Sequence, residues 1–241
     1  MIVYVTSSPF VDGADRAILS NANGMIDRLK ADLPPCCRCL FICSSPDRRD
    51  LTASFGADVF SAFAEAGMPF SSYAVLDGYN AEDAAFLIEN SDLIILAGGH
   101  VPTQNQFFRD IGLAQLLEDY QGVVLGISAG SMNMAEVVYA QPEDPGESID
   151  PDYERFVPGL GLTSINICPH YQKVHDMILD GKRLFEDITY VDSYGHTFYA
   201  LPDGSYVYIH ADHALLLGEA YRIRNGILEL LTLDGESLPL Y

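Results

Sequence analysis

Residues 121–131 read Gln-Gly-Val-Val-Leu-Gly-Ile-Ser-Ala-Gly-Ser, and they constrain the fold of this chain more than any other segment. Val123-Val124-Leu125 is a continuous apolar run, the pattern of a strand buried on both faces. Gly126, Ser128 and Gly130 then stand in a G-x-S-x-G arrangement, and a helix-compatible stretch, Ala129–Val138, follows. Strand, tight turn and helix in that order are the context of a nucleophile elbow. Side chains two residues either side of the serine would collide in such a turn, so glycine is placed there. The serine hydroxyl projects above the sheet edge, and the Ala129 N–H, at a helix N-terminus, can stabilise an oxyanion. The plainer alternative is an ordinary strand-to-helix turn with Ser128 as N-cap.

The rest of the chain repeats the alternation of apolar runs and helix-compatible segments. Strands are expected at Ile2–Thr6, Cys39–Cys43, Ser72–Leu76, Leu93–Ala97 and Val123–Ile127. Helices are expected at Ala14–Leu33, Leu51–Ala66, Ala81–Glu89, Gln104–Arg109, Leu113–Asp119 and Ala129–Val138, with Asp50 and Asn80 as N-caps. Past residue 190 short strands take over, at Tyr206–His210, Ala214–Leu217, Tyr221–Arg224 and Ile227–Leu231, with Asn225-Gly226 as a hairpin turn. The expectation is one α/β domain over residues 1–241: a mostly parallel, doubly wound sheet with helices on both faces and an antiparallel C-terminal addition.

Charge excludes some functions. The chain has 13 basic and 34 acidic residues, a formal net charge of -21, so nucleic acid and anionic membrane surfaces are disfavoured as partners. An anionic substrate would need a specific local cation. The N-terminus reads as a first strand and not as a signal peptide, and no segment reaches transmembrane length, so the expected location is cytoplasmic. The apolar segments leave a homodimer open. Cys36, Cys37, Cys39, Cys43 and Cys168 are an odd number, which argues against a disulfide framework. The crowded run Cys36–Cys43 has no histidine beside it to complete a metal site and reads in part as a buried strand, so neither disulfides nor a metal is expected. Residues 141–154 form a polar loop rich in proline and acid that follows the elbow helix and can return a carboxylate to the site.

A serine nucleophile needs a base. Among His100, His170, His175, His196, His210 and His213, His170 stands out, because it ends the apolar run Leu162–Cys168 just past Pro169. An imidazole there lies at the carboxyl edge of the sheet, where α/β active sites form. Glu136, Glu143, Asp144 and Glu147 lie between Ser128 and His170 as candidates to orient it, and sequence order does not choose among them. Leu93–Ala97 runs into Gly98-Gly99-His100, and paired glycines let backbone N–H groups face an anion. The lysine of a phosphate loop is absent.

Together Gly126-Ile-Ser128-Ala-Gly130-Ser, Leu96-Ala-Gly98-Gly99-His100 with Gln104-Asn-Gln-Phe-Phe, Ile165-Asn166-Ile-Cys-Pro169-His170 and Leu201-Pro-Asp-Gly204 resemble the serine peptidase family that contains dipeptidase E (aspartyl dipeptidase) and cyanophycinase. The resemblance implies a fold like class I glutamine amidotransferases (flavodoxin-like), with serine in place of their cysteine. It implies peptide hydrolysis through an acyl-enzyme, without metal or organic cofactor. By this resemblance Ser128 is the nucleophile and His170 the general base. Glu143 is the third member, with Asp144 and Glu147 beside it, and Gly99 and Ala129 are the oxyanion donors. The arginine that reads an N-terminal aspartate in dipeptidase E falls on Leu184, and a one-residue gap moves it to Arg183, so Gly98 and Arg183 are the expected substrate-binding residues.

The expected function is a serine exopeptidase acting on short peptides. Its nearest rival is an esterase or amidase of the α/β-hydrolase class, whose late histidine would be His196, His210 or His213. A glutaminase is disfavoured by serine at the elbow. A non-catalytic small-molecule-binding protein on the same fold is the remaining alternative.

Overall fold

Alternating side chains along the central strands build two cores at once. The structure, a computed structural model, describes residues 1–211 and 213–241. Its first strands are β1 (Ile2–Thr6), β2 (Arg38–Ile42), β3 (Ser72–Leu76), β4 (Leu93–Leu96) and β5 (Val123–Ile127). Val3 and Val5 of β1, Ile94 and Leu96 of β4 and Val124 of β5 enter one buried cluster. Tyr4, Leu93, Ile95, Val123 and Leu125, one residue out of step, enter the other. A period of two sends neighbours to opposite faces, so strands apolar at every position need helices on both sides.

Those helices are α1 (Met25–Asp32) and α2 (Arg49–Glu65), which bury Met25, Leu29, Val59 and Phe63 against one face. On the other face lie α3 (Ala84–Glu89), α4 (Val101–Asp110), α5 (Leu113–Leu117) and the short α6 (Ala129–Met132), bringing Ile88, Phe108, Leu117 and Met132.

The chain continues through β6 (Val137–Tyr139), β7 (Phe156–Pro158), β8 (Asn166–Cys168), α7 (Tyr171–Val174), β9 (Ile178–Leu179) and β10 (Lys182–Arg183). A π-helical segment, Leu184–Thr189, leads into α8 (Tyr190–Asp192). Then come β11 (Thr197–Ala200), β12 (Tyr206–His210), β13 (His213–Leu217), β14 (Ala220–Arg224), β15 (Ile227–Thr232) and β16 (Ser237–Pro239).

The main sheet has eight strands in the order β16-β13-β12-β1-β5-β4-β2-β3. Pairing is parallel from β1 through β5, β4 and β2 to β3, and antiparallel from β1 outward through β12, β13 and β16. A second sheet, β15-β14-β11-β8, pairs β11 parallel to β8 and antiparallel to β14. Asn225 and Gly226 take φ of 51° and 76° at the β14–β15 hairpin, as their turn type requires. The mixed α/β class, the parallel core and the antiparallel C-terminal addition are therefore present. Among the described residues no helix is long and apolar enough to cross a membrane.

Two expected helices are shorter than the sequence suggests. Regular α-helix covers only Met25–Asp32 of the expected Ala14–Leu33, preceded by a 3-10 turn, Ala22–Gly24, in which Asn23 and Gly24 adopt φ of 54° and 74°. The Asn21 side chain then accepts the Ile26 and Asp27 N–H groups, starting the helix there. The expected helix Ala129–Val138 ends at Met132, because Val137–Tyr139 pairs with Phe156–Pro158 and the Glu136 N–H bonds to Thr163 O. The cysteines behave as apolar packing. Cys37, Cys39, Cys43 and Cys168 are buried, and desolvation pushes the Cys37 and Cys43 thiols up to about 12.

The turn after β5 leaves no room beyond glycine. A Cβ on Gly126 would stand 2.6 Å from the Ser131 backbone, and one on Gly130 would run into the Leu96 and Ala97 carbonyls. Gly130→Ala should therefore cost about 1–3 kcal/mol by overpacking, read as a lower midpoint in urea unfolding. An unchanged midpoint would show that the elbow is looser than this packing demands.

Candidate active site

Ser128 has φ 51° and ψ −110°, a conformation that non-glycine residues rarely adopt. Its backbone is held there from three sides. The Ser128 N–H donates to Ser7 O at 3.0 Å and Thr6 O at 3.2 Å, and its carbonyl accepts from Met132 N. The Ser131 hydroxyl ties the same turn to β1, accepting from Thr6 N and donating to Thr6 O, each at 2.8 Å.

His170 follows β8 and Pro169 and also has a positive φ, 58°. Its Nε2 lies 2.9 Å from Ser128 Oγ. Its Nδ1 lies 2.7 Å from Asp203 Oδ1. The parallel register explains the meeting. Ala200 of β11 pairs with Cys168 of β8, and each strand is stopped by a proline, at 169 and 202. The ladder continues as Leu201 N–H donates to Cys168 O and Tyr171 N–H to Leu201 O. The residues after the two prolines, His170 and Asp203, therefore emerge side by side.

Asp203 is almost fully enclosed, its side chain 4% exposed. Oδ2 is 2.7 Å from Lys173 Nζ, which also reaches Asp12, and Oδ1 accepts from the Ser7 hydroxyl at 3.0 Å. Burial pushes this carboxyl up, but the bonds from His170, Lys173 and Ser7 outweigh it and hold it well below the usual aspartate range. The Ser7 hydroxyl also accepts the His170 N–H at 2.7 Å, so Ser7 touches all three residues.

The glycine pair after β4 faces this group. Ser44 Oγ donates to Gly98 O at 2.7 Å, and in a trans peptide that turns the Gly99 N–H the opposite way. Gly99 has φ 153°, and a Cβ on it would collide with Ser44 Oγ. Gln104, buried in α4, fixes the segment by donating to Ala97 O at 2.7 Å. Among the described residues neither the Gly99 nor the Ala129 N–H has a backbone partner.

Ser128, His170 and Gly99 open into a cavity of about 210 Å³, walled by Val101, Met132, Met177 and Leu184. A larger hollow, about 630 Å³, lies at the amino end of the sheet near Asp32, Asp92 and Tyr120, and includes neither Ser128 nor His170.

The expectation that Glu143 orients the histidine fails in geometry. Glu143 Oε1 accepts from Val101 N at 3.1 Å, and Glu143 lines the cavity. Although the residue is open to solvent, desolvation by its surroundings raises its carboxyl above the ordinary value, more than the Val101 N–H lowers it. Glu147 bonds His100 Nε2 at 2.7 Å and accepts the Glu143 and Asp144 N–H groups, while Glu136 and Asp144 are exposed. Donor atoms of His100, Asp144 and Glu147 lie within 4.8 Å of one another, a spacing that suits a cation, but those of His100 and Glu147 are engaged by these bonds.

Arg183 does not line the cavity. It is exposed and paired with Asp187 Oδ1 at 2.6 Å, while its neighbour Leu184 turns inward. Gly98 supports Gly99 from behind. His196 stacks on Phe156 at 4.3 Å, His175 bonds Tyr171 O, and His210 and His213 pair across β12 and β13. None of these four is hydrogen-bonded to Ser128, which removes the geometric basis for the α/β-hydrolase alternative.

A histidine-backed serine at the carboxyl edge of a doubly wound sheet defines the class of serine hydrolases. The sequence matches Peptidase family S51 over residues 38–217, well over half of its length. The chain belongs to that family and is a serine-type peptidase. The fold is similar to the crystal structure of a peptidase from an acI-B1 Actinobacterium, with TM-score 0.69, 18% identity, and 98% of this chain and 96% of that one covered. It is also similar to a putative peptidase E protein from Listeria monocytogenes EGD-e, with TM-score 0.62, 16% identity, and 96% and 98% covered. No curated protein matches the sequence.

The depressed Asp203 value gives a pH prediction. A carboxylate whose folded pKa lies below its unfolded value, about 3.9, contributes stability above that pH and loses it as pH falls through the folded value. Lys173→Met removes a cation from Asp203 and raises the folded value, so the acid-unfolding midpoint should move to higher pH. Near-ultraviolet circular dichroism during acid titration reads this, and coincident midpoints would show that Lys173 does not hold the carboxylate.

Proposed function

We propose that this peptidase is an exopeptidase for short peptides that works through Ser128, His170 and Asp203. The observation that carries the reading is the continuous chain from Ser128 Oγ through the two ring nitrogens of His170 to an enclosed, ionised carboxylate. Asp203 accepts from Nδ1–H and so keeps Nε2 free to accept the serine proton. As His170 takes that proton, Ser128 Oγ attacks the peptide carbonyl carbon. The Gly99 and Ala129 N–H groups receive the oxyanion, an effect worth about 3–4 kcal/mol per donor elsewhere.

His170 then gives its proton to the leaving amine. Water, deprotonated by the same ring, attacks the acyl carbon, the bond to Ser128 Oγ breaks as His170 returns that proton to Oγ, and the acid is released. The cavity argues for short substrates. Its volume of about 210 Å³ is below the roughly 300–1,000 Å³ common for small-molecule sites. It accepts about one side chain, and Gln141–Glu143 together with Met177 and Leu184, which flank the β9–β10 hairpin, line it.

A mixed library of free and blocked di- and tripeptides, read by mass spectrometry, tests the reading. Wild type should release products and Ser128→Ala none, while Asp203→Asn should slow turnover by about 10⁴-fold, as loss of a triad aspartate does elsewhere. Cleavage that survives Ser128→Ala, or turnover of esters alone, would overturn it.

A further inference from the structure

Glu143 is left without the orienting task that its place in the sequence suggests, and it stands in the cavity beside the serine. The geometry points to Glu143 as the specificity determinant of this site: its carboxylate is the counter-ion for a positively charged nitrogen on the acyl-side residue, and it rejects an acidic one. This rests on the peptidase reading above, which makes the occupant of the cavity the residue whose carbonyl is attacked.

Three observations carry it. Val101, whose N–H holds Glu143 Oε1, is the first residue of α4 and lies two residues past Gly99. The carboxylate is therefore fixed relative to the amide assigned to the oxyanion, while Oε2 accepts no hydrogen bond among the described residues. Apart from Gln141, whose Nε2 donates to Thr189 Oγ1, the side chains of the remaining wall are apolar, from Val101, Met132, Val174, Met177 and Leu184 among others, and suit the methylene stem of a long side chain. Among the described residues that line the cavity, Glu143 and His170 alone are ionisable, and both ring nitrogens of His170 are engaged by Asp203 and Ser128, so no free cation there meets an aspartate side chain.

The cations near the site are engaged elsewhere. Arg183 is paired with Asp187, Lys173 with Asp12 and Asp203, and Lys182 donates to Ser148 O. A carboxylate held by the Val101 N–H at the solvent-open edge of the cavity attracts a cation and repels an anion. Rejection of the wrong charge is as much a part of specificity as attraction of the right one.

The nitrogen can come from a lysine or arginine side chain or from the free α-amine, and matched substrates separate the two. The probes are X-Leu dipeptides with X as lysine, norleucine or aspartate, each free and N-acetylated. They are tested on wild type, Glu143→Gln and Glu143→Lys by kcat/KM. Binding of the same dipeptides to Ser128→Ala and to Ser128→Ala/Glu143→Gln is followed by calorimetry.

Wild type should prefer lysine over norleucine by about tenfold in the acetylated pair if the side chain is read, or free over acetylated norleucine by about tenfold if the α-amine is read. Glu143→Gln should reduce whichever ratio is found to near unity, and Glu143→Lys should raise turnover of the aspartate substrate. Ser128-dependent cleavage with ratios untouched by Glu143→Gln would overturn this inference and leave the peptidase reading standing. Charge-selective binding that is lost in the double variant, without cleavage in wild type, would support the inference and overturn the peptidase reading. Neither cleavage nor charge-selective binding would overturn both.

Discussion

The site depends on the unfavourable backbone of Ser128 and on what holds it there. A non-glycine residue at φ 51° and ψ −110° costs about 1–3 kcal/mol relative to a relaxed conformation. The end of β1 offsets that cost. Thr6 and Ser7 accept the Ser128 N–H, and Thr6 engages Ser131 in both directions. Because β1 sits between β5 and β12 in the sheet, the anchor is as rigid as the sheet itself. Ser7 extends the same control outward, accepting the His170 N–H and donating to Asp203. A single strand end thus sets the positions of the hydroxyl, the imidazole and the carboxylate.

Electrostatics divides the labour between two carboxylates. The chain as a whole is strongly acidic, so ionising an enclosed aspartate needs local help. Lys173 and the His170 ring supply it at Asp203. Glu143 has a single backbone N–H among the described residues, and desolvation moves its carboxyl the other way, above its ordinary value, against the smaller pull of the Val101 N–H and of His100. Environments that push two acids apart in pKa suit them to different tasks. Here one is bonded to His170 Nδ1 and the other lines the cavity beside Ser128.

Much of this was legible in the sequence. Fully apolar strands, the glycine-flanked serine and the X-Pro-His stop are local signals, and each reflects a local physical requirement. The strands of the parallel core fall within a residue of expectation, and for the inner strands β4 and β5 this is because burial on both faces leaves no other pattern. Asp203 was harder to read. Its part depends on the β8–β11 register, a non-local fact, and the strand Thr197–Ala200 before it is too short and too mixed in polarity to stand out. The clue is present all the same. Ala200-Leu201-Pro202-Asp203 repeats the strand-then-proline pattern of Ile167-Cys168-Pro169-His170. Glu143 is near Ser128 in the chain and in space, but the peptide that it bonds belongs to α4 and not to β8.

The most direct test of the account is covalent capture of the serine. A fluorophosphonate probe, followed by intact mass and peptide mapping, should add one adduct per chain, located on Ser128. His170→Ala should abolish it, and Asp203→Asn should slow it with the fold intact. An adduct elsewhere, or labelling of Ser128 at an equal rate in His170→Ala, would contradict the claim that this strained serine is activated through His170 and Asp203.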